Sequence, residues 1–341
     1  MKAVMFFALT IAIPLLCAAE YDKEAFARLL RNGAVAKYVY RVVDDEGALV
    51  SNATAHVWFK SYGRPQDEAS WAVKTDTNGI FVAEHRLNEK FSVGIDKEGY
   101  YHTHDEINYF GMSAAKRLSI VKDGKWQPYG ETRTVVLKKI KNPTVMSPTK
   151  GENRRGYPED GVWAGYDLEK HDWVAPIGNG VCEDMKIRFV TQRFSDVDFA
   201  RTMDVSFADI PHGGAYKMAA DEFSEFKTEY SANTNAAYLS AFKYEFRHEG
   251  RRLVRDELAK GEYLVFRTRT TVNPDGSLKS AHYGVIMGNW KFFEPYGMGI
   301  GRTLFNPTPN DTNLEDAETA RLSRLGYKQR MDFERSRKEM P

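Results

Sequence analysis

The sequence predicts an all-β protein of two β-sandwich domains, the second larger than the first. Three observations predict it. Short runs of alternating apolar and polar residues recur about every ten residues. Gly, Asp and Asn cluster between the runs as turns. Helical periodicity is scarce. A length of 341 residues suits two domains of ordinary size. Apolar residues at 42% and charged residues at 28% exclude a disordered chain and a membrane bundle. With Lys+Arg at 48 and Asp+Glu at 47, the basic face that nucleic acid requires is not expected.

Residues 1–19 read as a secretory signal peptide. Lys2 supplies the basic start, Ala3 to Leu16 the apolar run, and Cys17-Ala18-Ala19 the small residues before the cut. The run is too short for the about 20 residues that span a bilayer. Cleavage after Ala19 predicts a secreted or periplasmic protein with 47 charges of each sign, since Lys2 is the one charged residue removed. Cys17 offers a lipid anchor instead, but Leu16 stands where that pattern prefers a small residue. Cys182 is then the one remaining cysteine, so no internal disulfide is expected and the cores must supply stability. No later segment is apolar for long enough to predict a transmembrane span.

Residues 20–33 predict a short helix, with Asp22 as cap, Phe26, Leu29 and Leu30 as its apolar stripe, and Gly33 as stop. Residues 34–142 predict the first sandwich. Tyr38, Tyr40 and Val42 alternate with polar neighbours, as do Phe91, Val93 and Ile95, and Ala55–Phe59 and Thr132–Ile140 supply further strands. Turns fall at 44–47, 75–79 and 97–99. Asp76 and Asn78 suggest calcium, but Lys74 stands where such a loop needs an acid, so a turn is read.

The order Val43-Asp44-Asp45-Glu46-Gly47, then Thr75-Asp76-x-Asn78-Gly79-x-Phe81, then Gly99-Tyr100, resembles the carboxypeptidase regulatory-like (transthyretin-like) domain. The resemblance covers about a third of the chain. It implies a compact Greek-key sandwich that serves as an accessory module without catalysis. One constellation within it can carry chemistry. His102 and His104 at i, i+2 would share a strand face as a two-ligand metal arm. Intradiol ring-cleaving dioxygenases use a related sandwich with iron on two Tyr and two His, but the Arg-Pro upstream of their histidines is missing here. A polar loop is the plainer reading.

Residues 143–157, with Pro143 and Pro148, predict a linker. Residues 158–314 predict the larger, jelly-roll-like sandwich, with strands at 185–190, 203–207, 263–268 and 281–287, a hairpin turn at Asn273-Pro274-Asp275-Gly276, and a short helix over 219–226. Residues 315–341 read as a charged helix or tail, solvated by default, with attachment to an anionic envelope surface as the alternative. HExxH, HxxE, GxSxG and the P-loop are absent from the sequence. Cys182 reads as a packed thiol.

The run Arg302 to Glu315 resembles a segment of exported bacterial proteins that pair it with a regulatory-like sandwich. Its prolines and Asn/Asp residues predict a rigid loop that either locks the C-terminus or presents a ligand surface. The sequence therefore points to an exported, non-catalytic protein that binds a glycan or another envelope component and needs no cofactor. Its candidate contacts are Tyr216, Tyr296, Arg302 and Asn310, on loops where Gly lets a ligand approach. The six tryptophans are candidate stacking platforms, none preferred singly. The alternative is an exported enzyme, either metal-dependent through His102 and His104 or glycan-cleaving through a carboxylate pair in the second domain.

Overall fold

The computed structural model describes residues 21–148, 153–155, 159–195, 197–209, 211–250, 252–256, 261–288, 291–293, 297–326, 329–330 and 332. Helix α1 (Lys23–Asn32) starts where the Asp22 carboxylate accepts from the amides of Glu24 and Ala25. It stops at Gly33, whose φ of 62° and close approach to the Leu87 carbonyl leave no room for a side chain.

The first sandwich contains β1 (Ala34–Asp44), β2 (Thr54–Lys60), β3 (Ala69–Lys74), β4 (Ile80–Leu87), β5 (Lys90–Asp96), β6 (Thr103–Asn108), helix α2 (Ala114–Ser119), β7 (Val121–Lys122), β8 (Lys125–Trp126) and β9 (Thr132–Leu137). One sheet runs β4-β1-β8-β7, with β9 pairing β1 in parallel, and the other runs β3-β2-β5-β6. Period-two alternation turns Tyr38, Tyr40 and Val42 inward onto Val57, Phe59, Phe91 and Val93. Full burial of each such ring contributes about 1.5–3 kcal/mol. The buried hydroxyls find partners. Tyr38 and Tyr109 share a hydrogen bond of 2.9 Å, and Tyr40 donates to Asp105 at 2.7 Å. Gly79 closes the 75–79 turn with φ 69°, and a Cβ there would meet the Val42 carbonyl oxygen at 2.5 Å.

The second sandwich contains β10 (Ser147–Pro148), β11 (Asn153–Arg155), β12 (Ala164–Asp167), β13 (Asp172–Trp173), β14 (Met185–Arg193), β15 (Phe199–Phe207), β16 (Gly214–Ala219), β17 (Ala241–Glu249), β18 (Arg252–Asp256), β19 (Glu262–Val272), β20 (Leu278–Met287), β21 (Lys291–Phe293), β22 (Gly297–Ile300) and β23 (Arg302–Phe305). A six-stranded sheet, β13-β12-β14-β15-β17-β18, packs on a five-stranded one, β10-β23-β20-β19-β16. Tyr166, Ile187, Phe189, Val205 and Phe207 from the first meet Leu264, Phe266, Ile286 and Phe305 from the second. A smaller sheet, β11-β22-β21, lies beside them. The protein is thus all-β, with few and short helices.

Three segments differ from the sequence expectation. The 143–157 stretch is not a free linker: β10 pairs β23 and β11 pairs β22. Pro148 fits because β10 is an edge strand, where a missing amide costs no ladder bond. Residues 220–226 form no helix. The Asp221 carboxylate accepts from the amides of Phe223 and Ser224, a side-chain turn that competes with helix formation. Within 315–341, helix α3 (Ala317–Ser323) is capped by Asp316, Ala320 is buried, and so is Arg330; the other residues beyond 326, apart from 329 and 332, lie outside the described set.

The two sandwiches meet along the histidine segment. Tyr101, Phe226 and Ala320 form a small shared core. The His102 carbonyl accepts from the Glu225 amide at 2.8 Å, and the His104 amide donates to the Phe223 carbonyl at 3.0 Å. Buried Glu315 accepts from the Tyr101 hydroxyl at 2.9 Å and from the amides of Lys141 and Asn142 at 2.7 and 2.6 Å. Among the described residues, no helix is long and apolar enough to cross a membrane.

Candidate functional site

A cleft of about 670 Å³ opens where the C-terminal segment crosses the first sandwich. One wall is the start of β2 and the turn after β5, with Asn52, Thr54 and the run Asp96 to Tyr100. The turn forms because Gly99 takes φ 82°, and the Tyr100 amide closes it on the Lys97 carbonyl at 3.0 Å. The other wall is Ser323 to Gly326, the exit of α3. Arg302 secures that helix at its start, its guanidinium 3.2 Å from the capping carboxylate of Asp316.

Asp96 is the charged centre beside this cleft. Its Oδ1 accepts from His102 Nδ1 at 2.8 Å and from Arg330 Nη2 at 2.6 Å. His56 Nε2 stands 4.0 Å from Oδ2, too far for a hydrogen bond. Burial pushes the Asp96 carboxyl up, but the hydrogen bonds and charges of His102 and Arg330 outweigh it and hold the group below the usual carboxylate range. Burial pushes the His56 imidazole down, against the pull of Asp96. Asp96 Oδ2, Arg330 Nη1 and Ser323 Oγ are buried and find no hydrogen-bond partner among the described residues. Each such atom costs about 1–3 kcal/mol.

The histidine pair is split in role. The ring of His102 is buried, is held on Asp96, and lies against Gly94, where a Cβ would come within 2.8 Å of its Cε1. His104 lies on β6 opposite Gly94 and is exposed. Among the described residues, no group of three or more His, Cys, Asp or Glu is placed to hold a metal ion.

The other sequence candidates do not join the cleft. Tyr216 packs edge-on against Tyr238 at 5.3 Å, and its hydroxyl accepts from the Asn233 amide at 3.0 Å. Arg302 is committed to Asp316. Asn310 takes φ 63° and accepts from the Ala281 amide at 3.1 Å, so it pins its loop to β20. Tyr296 and Trp290 lie outside the described residues. Trp126 and Trp173 are core, while Trp163 is partly exposed and stacked on Arg188. Sequence reading missed Asp96, Ser323 and Arg330. Their one signal is that Asp96 ends a strand whose inward residues are apolar.

No family model and no curated protein matches the chain. Among solved structures, it is similar to 3-chlorocatechol 1,2-dioxygenase from Rhodococcus opacus 1CP, with 15% identity over 32% of this chain and 61% of that one, at a TM-score of 0.25. Hydroxyquinol 1,2-dioxygenase from Pseudomonas putida DLL-E4 matches at 15% identity over 32% of this chain and 57% of that one, with a TM-score of 0.23. The shaft pilin spaA from Lactobacillus rhamnosus GG matches at 11% identity over 57% of this chain and 95% of that one, with a TM-score of 0.21. The dioxygenase matches span less than two thirds of those enzymes, and likeness at these scores transfers neither site nor activity.

Proposed function

We propose that the protein is an exported, non-catalytic binding protein of the cell envelope, and that it holds a glycan or another polar envelope component in the cleft between the first sandwich and the C-terminal segment. The observation that carries this reading is the cleft's lining. Asn52, Thr54, Lys97, Glu98, Ser323 and Arg324 offer mixed donors and acceptors, and Tyr100 adds a ring. Its volume falls within the range of about 300–1,000 Å³ usual for small-ligand sites. Export rests on the pattern of residues 1–19, and the accessory-module reading on the regulatory-like turns of the first sandwich.

The test is a glycan array together with an envelope-fraction pull-down on the full chain. Arg324→Ala should weaken capture by about fivefold without lowering the melting temperature, and Tyr100→Ala should weaken it as much while also costing stability, because the ring packs on the first core. Blank results on both assays would reject the binding reading. N-terminal sequencing of the mature protein should begin at Glu20, and retention of Met1 in envelope fractions would reject cleavage after Ala19.

A further inference from the structure

We propose that the cleft's ligand is neutral and hydroxyl-rich, and that an adjacent pair of its hydroxyls completes the half-made contact between Arg330 and Asp96. The inference deepens the binding reading above and rests on it. Arg330 meets Asp96 through one atom pair, Nη2 to Oδ1 at 2.6 Å. That leaves a donor, Nη1, and an acceptor, Oδ2, without a hydrogen-bond partner among the described residues, with His56 Nε2 standing 4.0 Å from Oδ2. Ser323, 8% exposed and lining the cleft, adds a hydroxyl that is equally unpartnered. Arg330 is itself only 5% exposed. Buried polar atoms normally have partners, so a cluster of unsatisfied ones beside a cleft marks where a ligand group belongs.

The chemistry of that group follows from the atoms it must serve. It has to accept from Nη1 and donate to Oδ2. A hydroxyl pair does both. A phosphate or carboxylate accepts from Arg330 but meets the charge of Asp96, with Glu98 on the same wall. An ammonium donates to Asp96 but meets Arg330, with Lys97 and Arg324 nearby. Net charge does not select the occupant: the lining side chains Asp96, Lys97, Glu98 and Arg324 sum to zero, and Arg330 beside them adds one positive charge, so the choice rests on the donor and acceptor that must both be served. Tyr100 supplies an apolar face suited to the C–H face of a sugar ring. The three unpartnered atoms are sealed from solvent, so a ligand reaches them only as the Ser323–Gly326 wall shifts outward. That wall is tied to the sheet through the same Arg330 contact, and binding and wall movement are one event.

The experiment is ligand-detected NMR on the full chain, with glucose, N-acetylglucosamine and myo-inositol as neutral probes and inorganic phosphate as the anionic one. A neutral probe should bind, stay bound in about 0.5 M salt, and bind about tenfold more weakly to Asp96→Asn and to Ser323→Ala. Ser323→Ala removes a buried hydroxyl that bonds to nothing in the structure, so its melting temperature should equal or exceed the wild type's even if Asp96→Asn is destabilised. Phosphate binding with the neutral probes silent would overturn this inference and leave the cleft's binding function standing. Neutral binding that is unchanged in both variants would overturn the placement. Silence from every probe would overturn the inference too, while the envelope pull-down decides the wider reading separately.

Discussion

Arg269 in the second sandwich lies on buried aspartates and Arg330 against the first on a half-buried one, and the two are finished to different degrees. Arg269 reaches Asp184 through Nε and Nη2 at 3.0 and 3.1 Å, Asp167 at 3.2 Å, and Glu169 as well. The carboxylates are completed by backbone amides: Leu168 on Asp184, and Glu169, Lys170, Val181 and Cys182 on Asp167. None of these four charged side chains has a buried unpartnered atom among the described residues. The Asp96 cluster leaves three such atoms at and beside a cleft. A closed ionic network of the first kind is a strut. An open one of the second kind gives up stability where a ligand can restore it.

The largest expected effect breaks the strut. Arg269→Ala strands Asp167 and Asp184, which are 1% and 0% exposed, and should cost about 3–5 kcal/mol in denaturant unfolding. A loss under about 1 kcal/mol would remove the distinction between the two clusters. Arg330→Ala should cost only about 1–2 kcal/mol, because half its fork is already unmade and Asp96 keeps His102. Its signature should be local, with about tenfold faster amide exchange over 317–323 and an unchanged second core. Equal global losses for the two arginines would contradict the comparison.

Acid sharpens the contrast because the two aspartates shift in opposite directions. The Asp96 pKa is depressed in the folded protein. Its contribution is present above the ordinary carboxylate range and is lost as pH falls through the folded value. The stability cost of Asp96→Asn should therefore shrink as the pH is taken down from about 5. Burial raises Asp184 more than Arg269 lowers it, so its contribution is largest at low pH and is lost as pH rises through its folded value. The cost of Asp184→Asn should grow over the same descent. Urea titrations of both variants across this window check the two signs. The smallest effect is that of Ser323→Ala, which should be neutral or stabilising by about 1 kcal/mol, since no bond is lost and a buried unpartnered hydroxyl is removed.

The fold was more legible than the site for a physical reason. Alternation in Tyr38, Tyr40 and Val42, or in Phe91, Val93 and Ile95, is local, and local pattern specifies which face of a strand is buried. The Asp96–Arg330 contact joins residues 234 apart, and no local pattern encodes it. The histidine pair misled for the opposite reason. Its i, i+2 spacing is a true strand signal, but the backbone of that strand is taken up by Phe223 and Glu225 at the seam between the sandwiches. Pro148 read as punctuation because sequence does not show that its strand lies at an edge. Tyr216 and Asn310 stood out as polar or aromatic residues on turn-rich segments, and the turns are what they hold.

The most direct measurement is amide exchange of the full chain, with and without the neutral oligosaccharide that binds best on the array. Slower exchange is expected over 96–100 and 323–326, with 167–184 unchanged. Slowing confined to the second sandwich, or none at saturating ligand, would contradict a ligand site at the Asp96 cluster.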